Sequence, residues 1–186
     1  VTNSVALGAY ANASGPNTVA IGAGASAYKE DVAIGFNATA GFESVAVGSN
    51  ADGSLGMSTA LGFNANSYGI GTTAVGYKAN AGWGTPYGTA VGFLSRTQWD
   101  STSALGAYTN AIGNYSTSIG ASSRADGEYA SALGSQSNAT GSNALAIGRN
   151  ALASGVDNAI SIGTQSIANG TSGIAVGAEA CLLYTS

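Results

Sequence analysis

Few side chains in this sequence could do covalent chemistry. It has no histidine, and Cys181 is its single cysteine. That removes imidazole bases, the thiolates that pair with them and the common zinc ligand sets. The nine carboxylates are scattered along the chain, so no acid–base pair can be nominated. Asp126-Gly127-Glu128 and Asp157 could suggest calcium, but the glycine- and aspartate-rich nonapeptide that holds it in parallel β-rolls does not occur. Gly22-Ala23-Gly24-Ala25-Ser26-Ala27 and Gly69-Ile70-Gly71-Thr72-Thr73-Ala74 loosely echo a dinucleotide fingerprint, without the βαβ unit that gives one meaning. Asn114-Tyr115-Ser116 has the form of a glycosylation sequon, which a chain rich in Asn, Ser and Thr produces anyway. The expectation is a protein that is not an enzyme and uses no cofactor or metal.

Contact chemistry is better represented. Phe63, Tyr68, Tyr77, Trp83, Tyr87, Phe93, Trp99 and Tyr108 gather in the middle of the chain. Aromatic side chains displayed on a rigid scaffold supply large contact area at low entropic cost; their other use is to seal turn backbone. Tyr77, Trp83, Tyr87, Phe93, Trp99 and Tyr108 are the candidate ligand contacts. The two tryptophans come first, because they fall in irregular stretches.

The elements that position these residues come from an internal repeat. Ser44-Val45-Ala46-Val47-Gly48 has near-copies from end to end, each a small residue, then Val, Ile or Leu, then Gly. The anchors are Gly8, Gly22, Gly35, Gly48, Gly62, Gly76, Gly92, Gly106, Gly120, Gly134, Gly148, Gly163 and Gly177, spaced by 13 to 16 residues. Such register marks a repeat architecture. A β-branched residue often precedes the large apolar one by two positions, as in Val19 and Ile21. A period of two is strand patterning. Small residues follow each anchor at the third and often the fifth position, as at Ala25 and Ala27, and a second glycine often closes the unit.

Each unit therefore reads as two short strands joined by tight turns, and successive units stack about 4.8 Å apart. Thirteen of them predict an all-β, parallel β-roll solenoid on the order of 60 Å long. The small residues leave room for one large apolar side chain inside each rung. So thin a coil buries little apolar surface. The first strand is accordingly expected to be buried on both faces, against its own coil and against a second chain.

Charged residues make up 8 % of the chain and the net charge is −4, which argues against nucleic acid as a partner. No apolar run approaches the roughly 20 residues of a membrane helix. Residues 1–180 read as one repeat array from a longer protein, beginning at Val1 inside a unit. Signal peptide, stalk and anchor would lie outside it. Cys181-Leu182-Leu183-Tyr184-Thr185-Ser186 breaks the pattern, and its reverse translation fits a sequencing-library adapter, so 181–186 is expected to be an artefact. Two departures lie within the array. Lys29-Glu30-Asp31 replaces a closing glycine with what reads as a solvated charged corner. Between Gly76 and Gly92 the step grows to 16, and Ala81 to Gly88 reads as a protruding turn that carries Trp83 and Tyr87.

Asp31-Val32-Ala33-Ile34-Gly35, Ser44-Val45-Ala46-Val47-Gly48 and Asn143-Ala144-Leu145-Ala146-Ile147-Gly148, followed by spaced Ala-x-Ala and a closing Gly, resemble the YadA-like head repeats of trimeric autotransporter adhesins. The resemblance covers residues 1 to about 180. It implies a left-handed parallel β-roll assembled as a homotrimer on the bacterial outer surface. It also implies a non-enzymatic role in adhesion, binding host matrix proteins or cell-surface receptors through the outer turns, with membrane contact only through an anchor domain elsewhere. The 16-residue step, the aromatic cluster and the Thr or Ser at 59, 73, 103, 117 and 131 depart from the usual repeat. Two other readings use the same scaffold. One is a shaft or receptor-binding segment of a phage tail fibre. The other is an ice-binding solenoid built on the rank at 59, 73, 89, 103, 117 and 131.

Overall fold

A computed structural model describes residues 3–183. Among them the chain forms 26 short strands of two to four residues and no helix. Two compact units divide the chain, Val1–Leu94 and Ser95–Ser186. Each is a parallel β-solenoid whose turns contribute one strand to each of two sheets. The first unit holds seven strands of the first sheet and six of the second; the second unit holds six and seven. Within each unit successive turns pair in parallel: Val19 pairs with Val32 and then Val32 with Val45 in the first unit, and Ser103 with Thr117 and then Thr117 with Ser131 in the second. Across the longest step, Thr73 still pairs with Thr89.

The anchor glycines are what close packing of successive turns requires. Gly48 has φ 136°, and a Cβ there would come within 2.3 Å of the Gly62 carbonyl oxygen. Two other corners of each turn are left-handed. They fall two residues after the anchor, as at Asn37, Asn50 and Asn64, and five before it, as at Asn17, Tyr115 and Asn143. Asparagine tolerates this conformation best among residues with a side chain.

The interior differs from expectation. Its side chains are mostly alanine, with serine and threonine, and none is a large apolar one: Ala20, Ala33, Ala46, Ala60 and Ala74 from the first sheet cluster with Ala25, Ala38, Ala51, Ala65 and Ala79, each just before a strand of the second. The large apolar residues sit on either side of that inward alanine and therefore point out. Val45 and Val47 are half-buried around buried Ala46, and Val19 and Ile21 flank Ala20 in the same way. The two sheets approach so closely that one methyl per position fills the gap, and no room remains for one large side chain per rung. Hydroxyls inside bond locally: Thr109 Oγ1 donates to the Gly106 carbonyl at 2.8 Å, and Ser137 Oγ to that of Gly134 at 2.8 Å.

The longest step is absorbed by one local register shift in the second sheet. The 16-residue step inserts one residue as a bulge at Gly82, φ 69°, which lengthens the strand Asn80–Trp83 so that Tyr68 pairs with Trp83. Asp31 is not a solvated corner. It is fully buried, and its carboxylate accepts the backbone N–H groups of Tyr28, Lys29 and Ser44 at 3.0, 3.0 and 2.8 Å. It serves the turn where other units use a buried hydroxyl, such as Thr18 bonded to Gly15 at 3.0 Å. Cys181–Leu182 forms a strand paired with Ile167 and Ala168. Tyr184 to Ser186, the rest of the adapter-like tail, lie outside the described residues.

Candidate functional site

The aromatic residues gather into columns because each column is one position of the repeat. Phe63, Tyr77 and Phe93 each follow an anchor glycine directly, so they emerge from the same corner of successive turns. Their rings stack: Phe63 on Tyr77 with centroids 5.4 Å apart and planes within 10°, and Tyr77 on Phe93 at 5.1 Å and 9°. Offset stacking of this kind contributes beyond area alone. The Lys78 ammonium lies 5.3 Å from the centre of the Tyr77 ring, within the range of a cation–π contact. In the second unit a separate pair occupies the other corner, where Tyr115 and Tyr129 stack at 5.0 Å and 6°.

The six candidate contacts thus divide between the two edges. Tyr77 and Phe93 share a stack on the edge that follows the first strand. Tyr108, in the second unit, also leaves that edge, two residues after Gly106 with φ 57°. Tyr87 belongs to the opposite edge, with φ 61°. Its ring lies over Gly71, where an added Cβ would meet it at 3.2 Å; a side chain at 71 would displace the ring. Trp83 ends its strand 67 % exposed. Trp99, in the second unit, is 48 % exposed, and its carbonyl accepts the Thr102 hydroxyl at 2.8 Å. Trp83 and Tyr87 are not brought onto the Tyr77–Phe93 stack.

Two polar features were not read correctly from the sequence. One is Asp31, whose burial no local pattern announces. The other is a set of asparagines of the first unit, Asn66 and Asn80 on the second sheet and Asn37, Asn50 and Asn64 in the turns that lead into it. Their recurrence two and four residues after successive anchors was the available signal. Beside them the Tyr68 phenol is held above its ordinary pKa, first by burial and then by the negative charge of Asp52. Among the described residues no three His, Cys, Asp or Glu side chains gather where they could hold a metal ion. No helix among the described residues is long and apolar enough to cross a membrane.

A parallel β-solenoid with a methyl-sized interior and side chains displayed in columns from its turns defines a class, the repeat-built display scaffold. Residues 2–25, 57–81, 125–151 and 157–180 match the family model of the YadA head domain repeat (2 copies). Those matches span more than half of the chain, and the chain belongs to that family, an adhesin-type module of the cell surface. No curated protein matches it. Residues 26–56 and 82–124 lie outside the matched segments, and five of the six candidate contacts fall in the second of these stretches: Trp83, Tyr87, Phe93, Trp99 and Tyr108.

Proposed function

We propose that this chain is a non-enzymatic adhesion segment that binds host matrix proteins or cell-surface receptors through aromatic side chains on its outer turns. It acts as a homotrimer on the bacterial outer surface. The observation that carries this reading is that Trp83, Tyr87 and Trp99, all strongly exposed, lie in the 16-residue step and the atypical turn that follows it. The repeat supplies a rigid frame, and the departures supply large side chains at positions the frame does not need for its own packing. Such residues dominate contact energetics when a partner covers them.

The test is a Trp83→Ala/Trp99→Ala double variant, compared with the parent for binding to immobilised matrix proteins and to cultured cells. Loss of one or two such anchors is expected to weaken binding by about tenfold or more. The circular dichroism spectrum should not change, because Trp83 is 67 % and Trp99 48 % exposed and neither is part of the alanine interior. Equal binding by parent and variant would remove the aromatic contacts from the account.

A further inference from the structure

The first unit carries a polar groove on the outer face of its second sheet. Thr39, Asp52, Asn66 and Asn80 occupy one outward row, each backbone-paired with the next. Two residues earlier in each turn, Asn37, Asn50, Asn64 and Lys78 form a second row, all in the left-handed conformation. These rows and Tyr68 line a groove of about 670 Å³, inside the roughly 300–1,000 Å³ range of small-molecule sites.

The lining specifies the ligand. Five primary amides, a threonine hydroxyl and a phenol each present donors and acceptors side by side. They suit a ligand whose own groups both donate and accept, and vicinal hydroxyls do so. The two charges, Asp52 and Lys78, cancel, so the groove offers no net field to a sulfated or phosphorylated chain. It has no apolar floor for a hydrophobic peptide. The amides repeat every rung, about 4.8 Å, close to the advance per residue of an extended hexose chain. Asn80 Oδ1 is buried without a hydrogen-bond partner, as is Asn138 Oδ1 at the corresponding position of the second unit, so the unpaired amide oxygen belongs to the repeat and not to the groove. At one end Tyr68, in register with exposed Trp83, supplies an aromatic platform. The corresponding outward row of the second unit reads Arg96, Asn110, Arg124, Asn138, Leu152 and Ile167. Cationic and apolar side chains interrupt the amides there, so the groove is particular to the first unit.

We propose that this groove is a binding site for an extended neutral glycan, whose hydroxyls bridge the two polar rows and whose last ring stacks at the Tyr68 and Trp83 end. It rests on the amide rows, and it stands whether or not the turn aromatics bind matrix.

The full chain would be screened on printed neutral oligosaccharides of hexose and N-acetylhexosamine. Heparin fragments and sialylated oligosaccharides form the charged arm, and a collagen-like peptide forms the peptide arm. Hits would be measured by saturation-transfer NMR and calorimetry. The expected result is binding of at least one neutral series, tightening with chain length. Asn66→Ala/Asn80→Ala should weaken it about tenfold or more, while Trp99→Ala, in the second unit, leaves it unchanged. The Asn80 change removes an unsatisfied acceptor, so the fold should survive it. Should the pair nonetheless unfold, Asn50→Ala and Asn64→Ala give the same reading from the groove's second row, each expected to weaken binding. The site is overturned if no neutral oligosaccharide binds at millimolar concentration. Equal binding by the groove variants, or preference for the charged or peptide arm, overturns it as well. Loss of matrix binding in the tryptophan variant, with oligosaccharide binding still lost on changing the asparagines, would uphold both sites separately.

Discussion

Ser118 and Ser161 stand where the other turns place an inward alanine, and each faces a serine on the second sheet. Ser118 Oγ lies 2.7 Å from Ser123 Oγ, and Ser161 Oγ 2.6 Å from Ser166 Oγ. Ser123 Oγ also donates to the Gly120 carbonyl at 2.9 Å, which makes Ser118 the donor within the pair. The two positions are therefore not equivalent. Ser118→Ala leaves Ser123 still bonded to Gly120 and should change stability by about 0.5 kcal/mol or less. Ser123→Ala strands the buried Ser118 hydroxyl and should cost about 1–3 kcal/mol. In the double variant two methyls replace the pair, as in neighbouring turns, and most of that loss should return. A double-mutant cycle followed by denaturant midpoint measures the coupling; additive single effects would show that the serines do not act as a pair.

The turn is the element of this fold, and its glycines separate two costs that usually occur together. Gly48 and Gly177 share nearly the same backbone angle, φ 136° and 125°. An added Cβ at Gly48 meets the Gly62 carbonyl oxygen at 2.3 Å, whereas at Gly177 the nearest atom is the Ala180 Cβ at 3.9 Å. Gly177→Ala should therefore cost only the strained angle, about 1–3 kcal/mol. Gly48→Ala adds a backbone clash and should lower the unfolding midpoint clearly further; equal midpoints would mean that the turns can part without penalty.

Much of this was legible in the sequence. Thirteen glycines in register and a period of two define the two parallel sheets, because only glycine permits that approach. Which parity faces inward was not legible. Val19, Ala20 and Ile21 alternate equally well with either set inside, and the larger set was expected there. The small one is inside because the opposite sheet, itself lined by alanine, lies one methyl away. The aromatic stack follows from its offset to the anchors. The asparagine groove needed the structure, since only folding sets Asn64 and Asn66 beside Lys78 and Asn80.

At the scale of the whole molecule, the misplaced parity becomes an argument for association. Each unit's interior is built of residues that bury at most one methyl, worth on the order of 0.8 kcal/mol apiece. Meanwhile Val45, Val47, Ile34 and Leu61 stay half-buried on the outer face of the first sheet. A single coil thus leaves its largest apolar side chains where another copy could cover them, and covering them would add the burial that the interior lacks. On this argument the protein should elute with three times its chain mass of 18.0 kDa when sized by light scattering. Val45→Asp/Val47→Asp should disperse it to monomer, since paired carboxylates on a covered face carry a desolvation cost without partners. The alanine interior is untouched by those changes, so the β spectrum should persist in the monomer, though at a lower melting temperature. A parent that sizes as a stable monomer, even with a trimeric coiled coil fused at its end, would mean that the outward Val and Ile rows are tolerated in water and that the thin interior suffices alone.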